Sequence, residues 1–256
     1  MRLRDKIAII TGGGRGIGKA TVEAYAREGA HVVIADKDAQ VAEDVAAGIR
    51  NKGGSAIAIQ TDVTDPTSVA DLAGRVLRQH NRVDILVANA GINVFSEPLA
   101  MTTEEWRRCF SVDLDGVWNS ARAVLPAMLE QRAGSVIAVA SVHSFNIIPG
   151  CFPYPVAKHA VIGLVRALAI EYAAKGIRVN AIAPGYIETQ LVLDHWASFP
   201  DPESERRRAC ALHPPGRIGR PEEVAMTAVF LGSDEAPFIN AATIMIDGGR
   251  SVVYHE

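Results

Sequence analysis

KIAIITGGGRGIG, residues 6–18, is the stretch whose reading decides the fold. Lys6 to Thr11 is a short β-branched run that ends in glycine, the pattern of a buried parallel strand. Gly12, Gly13, Gly14, Gly16 and Gly18 follow, and a helical pattern then runs to about Glu28. Strand, glycine turn and helix in that order aim free backbone N–H groups and the positive end of a helix dipole at one place, which suits a phosphate. Without a Cβ in the way, the backbone can approach such a ligand closely. The spacing here is G-x-x-x-G-x-G, not the general dinucleotide pattern G-x-G-x-x-G. A glycine loop alone could be a tight turn; between a strand and a helix it reads as a cofactor site.

Outward from that turn, His31 to Ala35 is a second strand with Asp36 at its tip. An acid about 20 positions beyond the glycines is placed to bind the adenosine ribose hydroxyls and to repel a 2′-phosphate. NAD is therefore expected rather than NADP, with Arg15 and Lys37 as the counter-argument. Further strands are expected at Ala56–Gln60, Asp84–Ala88, Ser135–Ala140, Ile177–Ile182 and Thr243–Ile246. Helices fall between them, one of which Pro66 opens. The alternation predicts a Rossmann-type, doubly wound parallel sheet of seven strands with helices on both faces, in a single α/β domain spanning 1–256. A long helical region is read from Thr103 to about Gln131. From Tyr186 to Arg220 the periodicity fails and prolines accumulate, so an irregular substrate loop is expected.

Composition narrows the class. A hydrophobic content of 48% and a net charge of −3 fit an ordinary globular protein and carry no nucleic-acid signal. The three cysteines, Cys109, Cys151 and Cys210, have no metal spacing and read as reduced thiols. No apolar run approaches the ~20 residues of a membrane span. Met1 to Lys6 leads straight into a strand and resembles no signal peptide, so a cytoplasmic protein is expected.

Tyr154 and Lys158 stand four apart on a predicted helix, on one face, with Ser141 upstream. A phenol titrates at about pH 10, and a neighbouring ammonium lowers that value. The pair can therefore exchange a proton near neutral pH. Alone, such a pair equally fits an amphipathic helix face.

Taken together, TGGGRGIG at 11–18, Asp36, Asp62-Val63, Asn89-Ala90-Gly91, Ser141, Tyr154 with Lys158, Pro184-Gly185 with Thr189, and Asp247-Gly248-Gly249 resemble the short-chain dehydrogenase/reductase family along essentially the whole chain. The resemblance implies that Tyr154 passes a proton to or from the substrate oxygen while hydride moves at the nicotinamide. Lys158 would lower the Tyr154 pKa and hold the nicotinamide ribose, and Ser141 would hydrogen-bond the substrate oxygen. It implies cofactor contacts from Gly12, Arg15, Gly16, Ile17, Gly18, Val63, Ala90, Gly91, Pro184 and Gly185. Asp62 would meet the adenine, Asn89 the adenosine side, and Ile187 and Thr189 the carboxamide. It also implies a homotetramer built from helices near 104–131 and 153–174 and from the C-terminal strand, with the tail 251–256 able to touch a neighbour.

One position departs from the family pattern. Where relatives carry V-N-L-x-G, this chain reads Val112-Asp113-Leu114-Asp115-Gly116. The usual asparagine supports a water that relays protons to the lysine. Asp113 is expected to keep that relay and, as an anion near Lys158, to raise the pH at which Tyr154 works. For the substrate, His143, Asn146 and Tyr186 are the polar candidates, and NAD-linked oxidation of a sugar or polyol hydroxyl is favoured. A 3-oxoacyl thioester reductase using NADPH, a hydrophobic-alcohol enzyme and a non-catalytic NAD-binding protein are the alternatives.

Overall fold

The computed structural model describes residues 1–254. In chain order the elements are β1 (Ile7–Thr11), α1 (Gly16–Arg27), β2 (His31–Asp36), α2 (Ala39–Arg50), β3 (Ser55–Gln60), α3 (Pro66–His80), β4 (Ile85–Ala88), α4 (Thr103–Phe110), a π-helical turn (Ser111–Asp115), α5 (Gly116–Gln131) and β5 (Gly134–Val139). They continue with α6 (Tyr154–Tyr172), β6 (Ile177–Pro184), α7 (Gln190–Ala197), α8 (Pro202–Ala211), α9 (Pro221–Gly232) and β7 (Thr243–Ile246). Among the described residues no helix is long and apolar enough to cross a membrane.

The seven strands form one sheet in the order β3-β2-β1-β4-β5-β6-β7, every pairing parallel. Side chains alternate across a strand, so each strand feeds two cores. Ile7, Ile9, Val33 and Ala35 face a layer with Leu72 of α3, Val124 of α5 and Val165 of α6. Ala8, Ile10, Val32 and Ile34 face the opposite layer, with Val22 of α1, Val45 of α2 and Val229 of α9. The chain moves outward from β1 through β3, then restarts at β4 on the other side of β1. That reversal leaves a crevice beyond the carboxyl ends of β1 and β4, where open α/β sheets bind ligands.

Two stretches differ from the sequence expectation. The 186–220 segment is not irregular: it contains α7 and α8. Proline starts α8 instead of preventing it, because Pro202 sits in the first turn, where its missing N–H costs nothing. Asp201 caps that turn by accepting from the Ser204 N–H at 3.0 Å. Trp196 then packs with Ala209 and Ile218 in a small separate cluster. The second difference lies at 104–131, where the helical region is interrupted by the π turn at Ser111–Asp115. Hydrophobic spacing does not register one extra residue in a turn.

α1 and α9 are tied by a buried contact, the Tyr25 hydroxyl donating to the Ala228 carbonyl at 2.8 Å. Tyr25→Phe is expected to cost about 1 kcal/mol and to lower Tm by about 2–4 °C, read by thermal unfolding. An unchanged Tm would show that this bond contributes nothing net.

Candidate active site

The crevice is a cavity of about 780 Å³ that runs from the glycine turn to Ser141, Tyr154 and Lys158. At one end the turn is shaped by close backbone approaches. A Cβ on Gly18 would lie 2.0 Å from the Gly12 carbonyl oxygen, and one on Gly12 would lie 2.9 Å from Ala90 Cα. Gly18 therefore packs helix against turn and stands behind the cavity wall. Asn89 donates to the carbonyls of Thr11 and Gly12 at 3.0 and 3.1 Å, so its amide holds the turn in shape while its body lines the wall. The first turn of α1 has no side-chain cap from Arg15, which leaves its N–H groups free at the cavity. This cradle, too tight for side chains and rich in free amides, fits the diphosphate of a dinucleotide.

Asp36 stands beside the turn. It accepts from the Gly14 N–H at 2.9 Å and from the Asp38 N–H at 3.1 Å, which fixes the carboxylate at the strand tip. Both cations that argued for a 2′-phosphate already have partners: Arg15 pairs with Asp38 at 2.9 Å and Lys37 with Asp62 at 2.8 Å. Lys37 in turn holds the Asp62 carboxyl below the usual range, helped by Thr64. Gly16, Ile17, Val63, Gly91, Pro184, Gly185, Ile187 and Thr189 line the same cavity.

At the other end, α6 carries Tyr154 and Lys158 on one face. The Lys158 ammonium lies 5.4 Å from the centre of the Tyr154 ring. It also sits 3.0 Å from Asp113 Oδ1, with the Lys158 side chain 4% exposed and that of Asp113 fully buried. The π turn carries Asp113 into this position; such turns recur at functional sites. Asp113 additionally accepts from the Ile92 N–H at 3.3 Å and from the Cys109 thiol at 3.8 Å. Burial pushes that thiol to about 12, so it stays protonated and able to donate. Gly91 makes room for the pair, because a Cβ there would lie 2.8 Å from Asp113 Oδ1 and 3.4 Å from Lys158 Nζ. Asp113 is thus in direct contact with Lys158, the residue that the expected relay serves.

The electrostatics correct a second expectation. Burial lifts the Tyr154 phenol above its ordinary value, Lys158 pulls it down, Asp113 pushes it up again, and the Ser141 hydroxyl opposes the rise. The net direction is upward, not the fall that the tyrosine–lysine spacing predicts. Lys158 is held above the usual lysine range: burial acts against its charge, but Asp113 and Tyr154 outweigh it. Ser141 Oγ accepts from the His143 N–H at 3.1 Å, which leaves its own proton free to donate toward the cavity.

None of the three expected substrate residues, His143, Asn146 and Tyr186, is itself in the cavity wall. His143 meets the Tyr154 ring edge-on at 6.0 Å, and Tyr186 stands between the cavity-lining residues Gly185 and Ile187. Asn146 is exposed and does not line the cavity. Sequence reasoning missed Thr61, Arg108, Val112, Leu191 and Val192, all in the wall. Arg108 and Val112 stand four apart, a helical spacing that could have flagged a shared face. Leu191 and Val192 lie on α7, hidden by its reading as a loop. The tail of the expected intersubunit contact, at 255–256, lies outside the described residues.

Comparison with known proteins agrees with this geometry. Residues 12–251 match a family model described as enoyl-(acyl carrier protein) reductase. The chain is 40% identical to the cis-4-hydroxycyclohexanecarboxylate dehydrogenase of Sinomonas cyclohexanicum, over 97% of this chain and 98% of that one. It is 38% identical to the 3-oxoacyl-[acyl-carrier-protein] reductase of Thermotoga maritima, over 97% and 99%. A solved structure from Beutenbergia cavernae, provisionally described as an NAD(P)-dependent gluconate 5-dehydrogenase and holding NADP at low occupancy, superposes with a TM-score of 0.91. That protein is 37% identical, over 98% of both chains.

Removing one member of a buried ion pair strands the other charge. Asp113→Ala is expected to cost about 3–5 kcal/mol at neutral pH, read by urea unfolding, with Asp113→Asn milder. Because Lys158 is raised above its unfolded value, its stabilisation is complete at neutral pH and fades as pH climbs through the raised value. Equal stability of Asp113→Ala and the native protein would contradict the pairing.

Proposed function

We propose that this chain, which belongs to the short-chain dehydrogenase/reductase family, uses NAD to oxidise a polar secondary alcohol of the sugar or polyol kind, with Tyr154 as the proton acceptor. It is an oxidoreductase that acts on alcohol or ketone substrates with a pyridine nucleotide. The observation that carries the finer reading is the meeting of Ser141, Tyr154 and Lys158 in the cavity that the glycine turn opens.

When bound, the dinucleotide supplies the hydride acceptor in oxidation and the donor in reduction. Gly12, Gly16 and the free amides of α1 would hold its diphosphate, Asp36 its ribose hydroxyls, and Ile187 and Thr189 its carboxamide. Lys158 would hold the second ribose. The chain's own groups handle the proton. Tyr154, as phenolate, takes the hydroxyl proton of the substrate while the carbinol carbon loses hydride, leaving a ketone. Ser141 donates to the substrate oxygen and stabilises the charge that builds there. Lys158 favours the phenolate, and Asp113 keeps Lys158 charged at the cost of part of that effect.

NAD is favoured because the Asp36 carboxylate is fixed by two backbone amides, whereas Arg15 and Lys37 are occupied by Asp38 and Asp62. The Thermotoga maritima relative supports a second reading, reduction of a 3-oxoacyl thioester. NADPH preference would favour it, and Asp36 argues against it. Homotetramer formation belongs to the same proposal, supported by the apolar residues Ile170, Phe238 and Val252 at the surface.

Tyr154→Phe is expected to lower kcat for NAD-linked alcohol oxidation by roughly 10³-fold, within the span of general acid–base effects, while NAD affinity stays close to native. A fully active Tyr154→Phe would remove the proposed role. The native protein is expected to use NAD at least ~10-fold better than NADP, and Asp36→Ala to erase that preference. Native preference for NADP would transfer the reading to the reductase alternative.

A further inference from the structure

The loop that follows β4 alternates in burial as a strand does. Gly91, Asn93 and Phe95 are exposed, whereas Val94 is buried with Cys109 and Ala157, and Ile92 packs partly against the same cluster. Residues two apart on an extended chain share a face, so Asn93 and Phe95 present the same, open side. Contacts at both ends fix this stretch to the catalytic groups. At one end, a Cβ on Gly91 would lie 3.4 Å from Lys158 Nζ, and the Ile92 N–H donates to Asp113 at 3.3 Å. At the other, Phe95 forms an antiparallel bridge with Pro153, and the Ser96 N–H donates to the Phe152 carbonyl at 2.8 Å. Asn93 lies between these anchors, two residues from either end, and lines the cavity.

Three side-chain amides stand in the cavity wall, and two of them are committed to the protein. Asn89 donates to the carbonyls of Thr11 and Gly12, and Gln190 donates to Asp194 at 2.8 Å. Asn93 makes no hydrogen bond among the described residues, so its donor and its acceptor are both open to a ligand. Phe95 touches the chemistry directly. Its ring meets that of Tyr154 edge-on, with centres 5.9 Å apart. The residue is nevertheless 42% exposed, so a large aromatic surface stays uncovered beside the proton-transfer group.

We infer that Asn93 and Phe95 form a platform for the ring of a cyclic polyol. Phe95 takes the C–H face of that ring, and Asn93 pairs with a hydroxyl other than the one oxidised at Tyr154. The inference rests on the dehydrogenase reading above and specifies its substrate class. A sugar or cyclitol ring is two-sided in its chemistry, with C–H bonds on its faces and hydroxyls around its rim. An aromatic ring removes such a face from water, and an amide, donor and acceptor at once, matches a hydroxyl that is both. An open-chain polyol offers no flat face and has more rotatable bonds to order on binding.

The test compares NAD-linked turnover of cyclohexanol, the cyclohexanediols and open-chain 2,3-butanediol. Native protein is expected to favour at least one cyclohexanediol by ~10-fold or more in kcat/KM over both cyclohexanol and 2,3-butanediol. Asn93→Ala is expected to shrink the preference for that diol over cyclohexanol by about 10-fold, chiefly through KM. Phe95→Leu keeps bulk against Tyr154 but loses the flat face. It is expected to shrink the preference for ring over open chain by about 10-fold, whereas Phe95→Tyr keeps that preference. An NAD titration of each variant separates a change of specificity from loss of fold. Native use of cyclohexanol or 2,3-butanediol as good as that of every cyclohexanediol would overturn the platform. So would an Asn93→Ala ratio equal to the native one, or a Phe95→Leu loss equal for ring and chain. In these cases the dehydrogenase reading stands, because an alcohol is oxidised. Absence of turnover of every alcohol with either nucleotide would overturn that reading, and the platform with it.

Discussion

The buried contact between Lys158 and Asp113 is the interaction on which the site depends. Two charges taken out of water each cost several kcal/mol, and the pair survives only where its remaining hydrogen bonds are made. Here they are: Asp113 also receives the Ile92 amide and the Cys109 thiol, and Lys158 reaches the Val139 carbonyl at 3.4 Å. The contact therefore fastens α6, the π turn, the end of β5 and the loop after β4 at one point. Tyr154, one helical turn from Lys158, is positioned by the same fastening. Its proton affinity is the balance of burial, the ammonium and the carboxylate.

Everything else in the fold delivers groups to that point or to the glycine turn opposite. Parallel strands end together, so the tips of β1, β4, β5 and β6 open on one side of the sheet. The reversal of strand order between β1 and β4 separates the helices above them and leaves the crevice. Two well-packed cores, one on each face, keep the tips in register. α7 closes the outer wall, where Leu191 and Val192 line the cavity, and α8 packs behind it through Ala209 against Trp196.

Much of this was legible in the sequence, for identifiable physical reasons. Strands buried on both faces read as short apolar runs, so six strands fell within one residue of their observed bounds, and β6 runs two residues further, through Pro184. Glycines at 12, 16 and 18 and the Tyr154–Lys158 spacing marked the two ends of the crevice. What escaped lies in geometry that residue spacing does not carry. The π turn changes no hydrophobic periodicity, yet it brings Asp113 into direct contact with Lys158. The prolines of 200–215 resemble loop punctuation, although Pro202 begins a helix. A lysine four residues from a tyrosine predicts a lowered phenol pKa, but the depth of the site reverses the sign.

The central claim is that Asp113 opposes Lys158 in setting the Tyr154 proton affinity. The most direct measurement is the pH dependence of kcat/KM for alcohol oxidation by Asp113→Asn beside the native protein. Because the carboxylate raises the phenol pKa, its removal is predicted to move the acidic limb of the profile to lower pH. Superimposable profiles, or a limb moved to higher pH, would contradict the account.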